Sequence, residues 1–472
     1  MSDKKTRTIK DIIKVSLSNI LKLLSGVLVA FLLPKIIGLS DYGFYKTFTL
    51  YVSYIGLLTF GICDGIYLKF GGKSYEDLEK ENFQTYTFIL LILQIAMSIL
   101  VMGFSLLFLT NEYKIIFLLL SAYITLNNLV VYYQIISQTT SRFTELSIRT
   151  IIQSSLNVLL VLLLWILYKF TTIGIVYWHF IIGLIVVNFL LLLWYMITYR
   201  SITFIKLKFD NDVFKDILHF IKIGIPLMIS NLCTTFILTI DRQFVSVLFS
   251  IETYAIYAFA YNMLVLITTT TTAIGSVIYP AFKQSTKEEL ETKYTNYIAL
   301  ITCFVVLTLL LYYPLSIFVD SFLPKYSDSL PIFRIILPGL VLSAPITIIM
   351  HNYYKVYGKN ILFFVLDLII LGISIGANFI AYYCFGTTLA ISVASVICIT
   401  IWYAVIDYFL SKKKIRRNIK NYVFTILSLL CFYFITLIQI RWLGFLLQFV
   451  STVSLILVFY WKQLKEFVFK KR

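Results

Sequence analysis

Two basic side chains in this 472-residue sequence, Lys22 and Arg242, fall inside long apolar stretches with no loop to account for them. The carboxylates Asp64, Asp241 and Asp367 share that setting, as do the amides Asn19, Asn231 and Asn262. An ionisable group at hydrocarbon depth marks a binding site or an ion pathway by default. A cation so placed would neutralise an anionic headgroup. A carboxylate binds its proton more tightly when buried and releases it on exposure, which suits coupling to a proton or sodium gradient. Amides can hydrogen-bond sugars or neighbouring helices. Each group also has a plainer structural reading: Lys22 could snorkel to an interface, Arg242 could pair with a carboxylate on another helix, and Asp64 could be a solvated helix end. Asp407 and His351 lie closer still to such an edge and are left aside.

Other chemistry finds little support. The six cysteines stand singly in or beside apolar runs, with no Cys-x-x-Cys. The three histidines are far apart and none lies at ligand spacing from a Glu or Cys. Gly71-Gly72-Lys73-Ser74 imitates the end of a phosphate loop, but position 67, where its opening glycine belongs, is Tyr67. No catalytic residue, metal or cofactor is expected, and the chain reads as a non-enzyme.

The elements that must position these residues are evident from composition. The chain is 60% hydrophobic and 13% charged, against about 25% charged in soluble domains, which excludes a multidomain soluble enzyme. Crossing the hydrocarbon core takes about 20 helical residues. Fourteen such runs fall near 16–37, 44–67, 85–109, 115–137, 151–169, 174–197, 222–248, 255–280, 296–319, 332–354, 361–383, 387–410, 422–440 and 442–461. The net charge of +17 would suggest nucleic acid in a soluble protein. Here it sorts by side: with loops assigned alternately, 31 of the 40 Lys and Arg fall on the side of the termini and 7 on the other. The positive-inside rule then places both termini in the cytoplasm, makes the first run a retained span, and leaves nucleic acid no role.

Asp11-Ile12-Ile13-Lys14-Val15-Ser16, opening the first span, parallels His219-Phe220-Ile221-Lys222-Ile223-Gly224, opening the seventh. Asp41-Tyr42-Gly43-Phe44-Tyr45 likewise parallels Thr253-Tyr254-Ala255-Ile256-Tyr257. Six intervening spans make this a parallel repeat about an axis along the membrane normal. The expected organisation is an all-α integral membrane protein of two six-helix lobes related by a pseudo-two-fold, plus a C-terminal pair. The N-terminal lobe covers 1–198, a cytoplasmic linker with an amphipathic helix 199–221, the C-terminal lobe 222–411, and the last helix pair with its tail 412–472.

Ile240-Asp241-Arg242-Gln243-Phe244-Val245-Ser246-Val247-Leu248, followed by Tyr254-Ala255-Ile256-Tyr257-Ala258-Phe259-Ala260-Tyr261, resembles the seventh-to-eighth helix signature of polysaccharide flippases. These belong to the multidrug/oligosaccharidyl-lipid/polysaccharide exporter superfamily. Gly38-Leu39-Ser40-Asp41-Tyr42-Gly43, Arg142-Phe143 and Tyr279-Pro280 are similar to further features of that family, although Ile36-Ile37 precede Gly38 where a basic or small residue is usual. The resemblance implies alternating-access movement of an undecaprenyl-pyrophosphate-linked sugar repeat unit from the inner to the outer leaflet of the cytoplasmic membrane, for O-antigen or capsule synthesis. It implies membrane lipids and other polysaccharide-assembly proteins as partners. In that setting Lys22, Arg242, Asn19, Asn231 and Asn262 would line a central cavity, with Asp64, Asp241 and Asp367 as ion-coupling candidates. The alternatives are a drug/cation antiporter of the same superfamily, a membrane-embedded polysaccharide polymerase, whose catalytic outside loop is missing, and a non-transporting scaffold.

Overall fold

A chain that must leave no backbone polar group unpaired in hydrocarbon crosses it as a helix or a closed barrel. In a computed structural model describing residues 18, 21–172, 174–203, 211–284, 286–411 and 419–469, the protein is all-helical, with no strand among the described residues. The helices are α1 (21–36), α2 (Leu39–Thr59 and Ile62–Phe70), α3 (Lys80–Phe108), α4 (Asn111–Thr139), α5 (Phe143–Phe170), α6 (Tyr177–Thr198) and α7 (Asn211–Leu248). They continue with α8 (Ile251–Gln284), α9 (Glu288–Phe322), α10 (Ser329–Ile336 and Gly339–Val356), α11 (Asn360–Phe385), α12 (Thr388–Ser411), α13 (Ile419–Ile435) and α14 (Arg441–Phe469). Each corresponds to one of the expected spans. Ten helices meet the length and hydropathy of a span unaided, α2 and α10 do so as bent pairs, and α13 is a shorter apolar helix. Asn19, the basic run 412–418 and side chains 269–272 of the threonine run lie outside the described residues.

The breaks have local causes. In α2 a 3₁₀ turn at Ile55–Thr59 leads into Phe60 and Gly61, both left-handed (φ 50° and 74°), and the helix resumes at an angle of 60°. In α10 the bend is 41°; Pro338 sits at the junction, and a π turn at Ile346–Met350 follows Pro345. The start of α9 is a capping box: the Thr286 hydroxyl accepts from the Glu289 backbone N–H at 3.3 Å while the Glu289 carboxylate accepts from the Thr286 N–H at 3.4 Å.

The chain divides into two compact units, Met1–Thr235 with Ser250–Ala255, and Phe236–Phe249 with Ile256–Arg472. In the first, α4 is the central helix, packing on α2, α3, α5 and α6. The loops on its basic side are tied together by Lys69 to Asp216 at 2.6 Å, a hydrogen bond from Tyr86 to the same carboxylate, and Gly72 N–H to Thr139 O at 3.0 Å. On the opposite side Asp41 accepts from the Tyr177 N–H at 3.1 Å, Tyr177 donates to Glu112 at 2.5 Å and Ser40 to Glu252 at 2.6 Å. In the second unit α12 packs on α10 and α11, and the α13–α14 pair rests on α9.

The tightest contact in the first unit joins α2 to the first half of α7. A Cβ on Gly224 would lie 1.9 Å from the Gly61 carbonyl oxygen, one on Gly61 2.5 Å from the Ile225 nitrogen, and one on Gly65 2.3 Å from the Phe220 oxygen. The backbones therefore touch directly, as small residues permit in membrane bundles. The equally spaced Gly372 and Gly376 have nothing within 4 Å of that position. Replacing Gly224 by Ala should therefore cost about 1–3 kcal/mol and lower the melting temperature in detergent, while Gly372→Ala should leave it unchanged.

Candidate functional site

In the second unit the sequence-predicted residues Asp241 and Arg242 are adjacent in α7 and leave it roughly 100° apart. Asp241 is only 2% exposed. Its Oδ2 accepts from the Tyr257 hydroxyl at 2.8 Å and from the Tyr261 hydroxyl, and its Oδ1 accepts from the Arg242 backbone N–H at 2.7 Å. The two tyrosines are four residues apart in α8, a spacing that puts both on one helix face. Hydroxyl donors favour the charged carboxylate where burial disfavours it. The same carboxylate forms no ion pair among the described residues.

Arg242 is half-buried and makes no ion pair among the described residues either. One terminal nitrogen donates to the Leu238 carbonyl at 2.8 Å, the guanidinium lies 4.6 Å from the centre of the Tyr261 ring, and the buried Nε has no hydrogen-bond partner. A cation–π contact in a desolvated place contributes about 2 kcal/mol. It leaves the positive charge uncancelled. Tyr261 thus holds the arginine with its ring and the aspartate with its hydroxyl. Asn262, the next residue in α8, is half-buried.

Asp367 of α11 is fully buried and accepts from the Trp402 indole N–H at 2.8 Å. Between it and Asp241 lie small polar groups on facing helices: Ser374 meets Cys398, and Ser392 meets Tyr257.

In the first unit Lys22 is exposed. It lies four residues after Ser18 and three before Ser25, both buried, and Ser25 donates to the Ser154 carbonyl of α5 at 2.8 Å. That spacing sets Lys22 on their side of α1. Asn231 is exposed on α7. Asp64, half-buried, sits in the first turn after the α2 break. There the helix N-terminus itself stabilises a carboxylate, a structural role sufficient to explain it.

Two groups passed over in the sequence prove to be interior. Arg149, assigned to a loop, is 4% exposed, paired with Glu145 at 3.1 Å and 4.4 Å from the centre of the Tyr195 ring. Asp407, set aside as an edge residue, is also 4% exposed, and accepts from Tyr294 of α9 at 2.7 Å and from Tyr422 of α13. The detectable signal was Tyr-x-x-x-Tyr at 257 and 261 directly after the Asp241-Arg242 signature; 34 tyrosines hid it.

Comparison with known proteins agrees with this arrangement. Residues 8–286 match the sequence model described as "Polysaccharide biosynthesis protein". Among solved structures, the lipid II flippase MurJ in an inward closed conformation is similar over 97% of this chain and 100% of its own, at 16% identity and a TM-score of 0.72. An inward-facing multidrug-resistance transporter of the same superfamily covers 84% of this chain and 95% of its own, at 17% identity and a TM-score of 0.62. A transporter from Pyrococcus furiosus covers 85% and 96%, at 17% identity and a TM-score of 0.53. A search of curated proteins finds no match.

Fold and site together define a multi-pass membrane protein of the flippase and transporter class, within the multidrug/oligosaccharidyl-lipid/polysaccharide exporter superfamily. The chain belongs to the polysaccharide biosynthesis protein family within it.

If the two phenols hold Asp241, then Tyr257→Phe and Tyr261→Phe each cost about 1–3 kcal/mol. The melting temperature of the purified protein should drop for each, and drop less when Asp241→Asn is already present, the coupling expected of groups in one network.

Proposed function

We propose that the protein carries an undecaprenyl-pyrophosphate-linked oligosaccharide from the inner to the outer leaflet of the cytoplasmic membrane by alternating access, supplying a surface polysaccharide such as O-antigen or capsule. The observation that carries this reading is Arg242: a guanidinium within a spanning helix, held by a ring face and a carbonyl, with no carboxylate to cancel its charge among the described residues. A pyrophosphate taken through hydrocarbon is prohibitively costly unless its charge is met on the way. Arg242 can meet it with planar, bidentate geometry. Lys22, exposed on α1, supplies a second positive charge, and Asn231 and Asn262 supply amide partners for sugar hydroxyls.

Asp241 is the coupling carboxylate in this reading. Buried beside the arginine but not bonded to its guanidinium, it can change protonation, and the change would reach Arg242 through Tyr261. Both termini and the basic loops face the cytoplasm, as the charge asymmetry requires. The partners are the lipid-linked repeat unit, membrane lipids and proteins of polysaccharide assembly.

The test is complementation of a flippase-null strain, joined to flipping of a fluorescent undecaprenyl-pyrophosphate-linked oligosaccharide in proteoliposomes. Arg242→Ala and Lys22→Ala should each reduce flipping at least about tenfold, the loss of one charged hydrogen bond, with membrane insertion unchanged. Arg242→Lys should restore only part of it. Flipping at the parental rate in both alanine variants would remove these residues from the mechanism, and drug efflux without complementation would assign the protein to the antiporters.

A further inference from the structure

The second unit contains more buried acid than a single coupling carboxylate requires. Asp241, Asp367 and Asp407 are 2%, 0% and 4% exposed. Asp407 lies four residues from the end of α12, on the side of the basic 412–418 run. Despite that position it is enclosed by phenols from five helices. Tyr294 of α9 and Tyr422 of α13 donate to it, and Tyr354 of α10 and Tyr403 of α12 lie within electrostatic reach. Tyr460 of α14 closes the cluster by donating to Asn421, whose amide donates in turn to the Thr295 carbonyl at 3.2 Å. Lys420, over the Tyr460 ring at 5.4 Å, is the nearby cation, and it forms no ion pair with Asp407.

These groups form a series. Tyr354 interacts with both Asp407 and Asp367, and its hydroxyl bonds the Ile406 carbonyl at 3.0 Å. Seven residues after Asp367, on the same side of α11, Ser374 meets Cys398, which is within electrostatic reach of Asp241. Tyr257 joins Asp241 to Ser392. Chains of carboxylates and hydroxyls at membrane depth are the usual substance of proton relays.

We propose that the second unit contains a proton path from Asp241 through Asp367 to Asp407, with Asp407 as its cytoplasmic exit, so that the coupling ion is a proton. This rests on the reading of Asp241 as the coupling carboxylate. In each passage the Asp241 O–H bond breaks and its proton reaches the Asp367 carboxylate by way of Cys398 and Ser374. It then passes by way of Tyr354 to Asp407, and from Asp407 to cytoplasmic water. Each donor returns to a carboxylate as the next becomes an acid. Trp402 orients Asp367 and carries no proton, since its indole nitrogen only donates.

The proposal is tested without lipid substrate. Full-length protein in nanodiscs, in sodium-free buffer, is taken from acid to alkaline pH. Infrared difference spectra then report carboxylic-acid C=O intensity, and a pH dye in a stopped flow counts released protons. Asp407→Asn should remove one C=O component and slow the remaining release at least about tenfold, at the low end of what a positioned proton-transfer group contributes. Asp367→Asn should do the same. Tyr422→Phe should shift the Asp407 component without deleting it. Tyr433→Phe, which removes a buried phenol bonded to the Ile335 carbonyl at 3.0 Å, controls for packing and should match the parent. Unaltered spectra and release in both Asp variants, with melting temperatures near the parent's, would overturn the path. A parent that shows these proton signals yet flips no oligosaccharide would retain the path and overturn the proposed function.

Discussion

A buried carboxylate must be satisfied by its surroundings or lose its charge, and the second unit meets that constraint in one recurring way. Asp241 is held by two phenols and a backbone N–H, Asp407 by two phenols, and Asp367 by an indole N–H. Cations are handled by ring faces: Arg242 over Tyr261, Arg149 over Tyr195, and Arg142 over Tyr75 at 4.7 Å. A sequence with 34 tyrosines and 23 acidic residues has the means for this. Many of those tyrosines are therefore internal donors and not only an interfacial belt. An acid held by hydroxyls keeps its freedom to change protonation, which a salt bridge would remove.

Much of the architecture was legible in the chain. The fourteen helices followed from run length, because hydrocarbon thickness sets that length whatever the packing. The places where helices break were not. The α2 bend depends on Phe60 and Gly61 both adopting left-handed backbone, and nothing local to a phenylalanine announces that. Glycine spacing was an uneven guide. Gly61 and Gly65 meet α7, whereas Gly372 and Gly376 face open space, and the decisive partner, Gly224, belongs to no such pair. Whether a small residue marks a contact depends on the opposing surface, which one segment cannot reveal.

The site was legible in part. Asp241 and Arg242 stood out because charge is rare inside apolar runs, and the structure sets Tyr257 and Tyr261 around them. Asp407 escaped notice because distance from a helix end was taken as distance from water. Phenols from neighbouring helices cover it, a tertiary effect. Arg149 escaped for the same reason: counted with a loop, it is folded under aromatic rings. Charge near a boundary is the least informative kind in a membrane sequence, since a turn of helix decides between solvent and interior.

The phenol-held aspartates also set how the molecule responds to its medium. An exposed ion pair such as Lys215 with Asp212, 3.1 Å apart, weakens as dissolved salt screens it. A carboxylate enclosed by neutral hydroxyls has no partner charge to screen. The interior of the second unit is accordingly indifferent to ionic strength, and a cell could concentrate or dilute its cytosol during osmotic stress without loosening that interior.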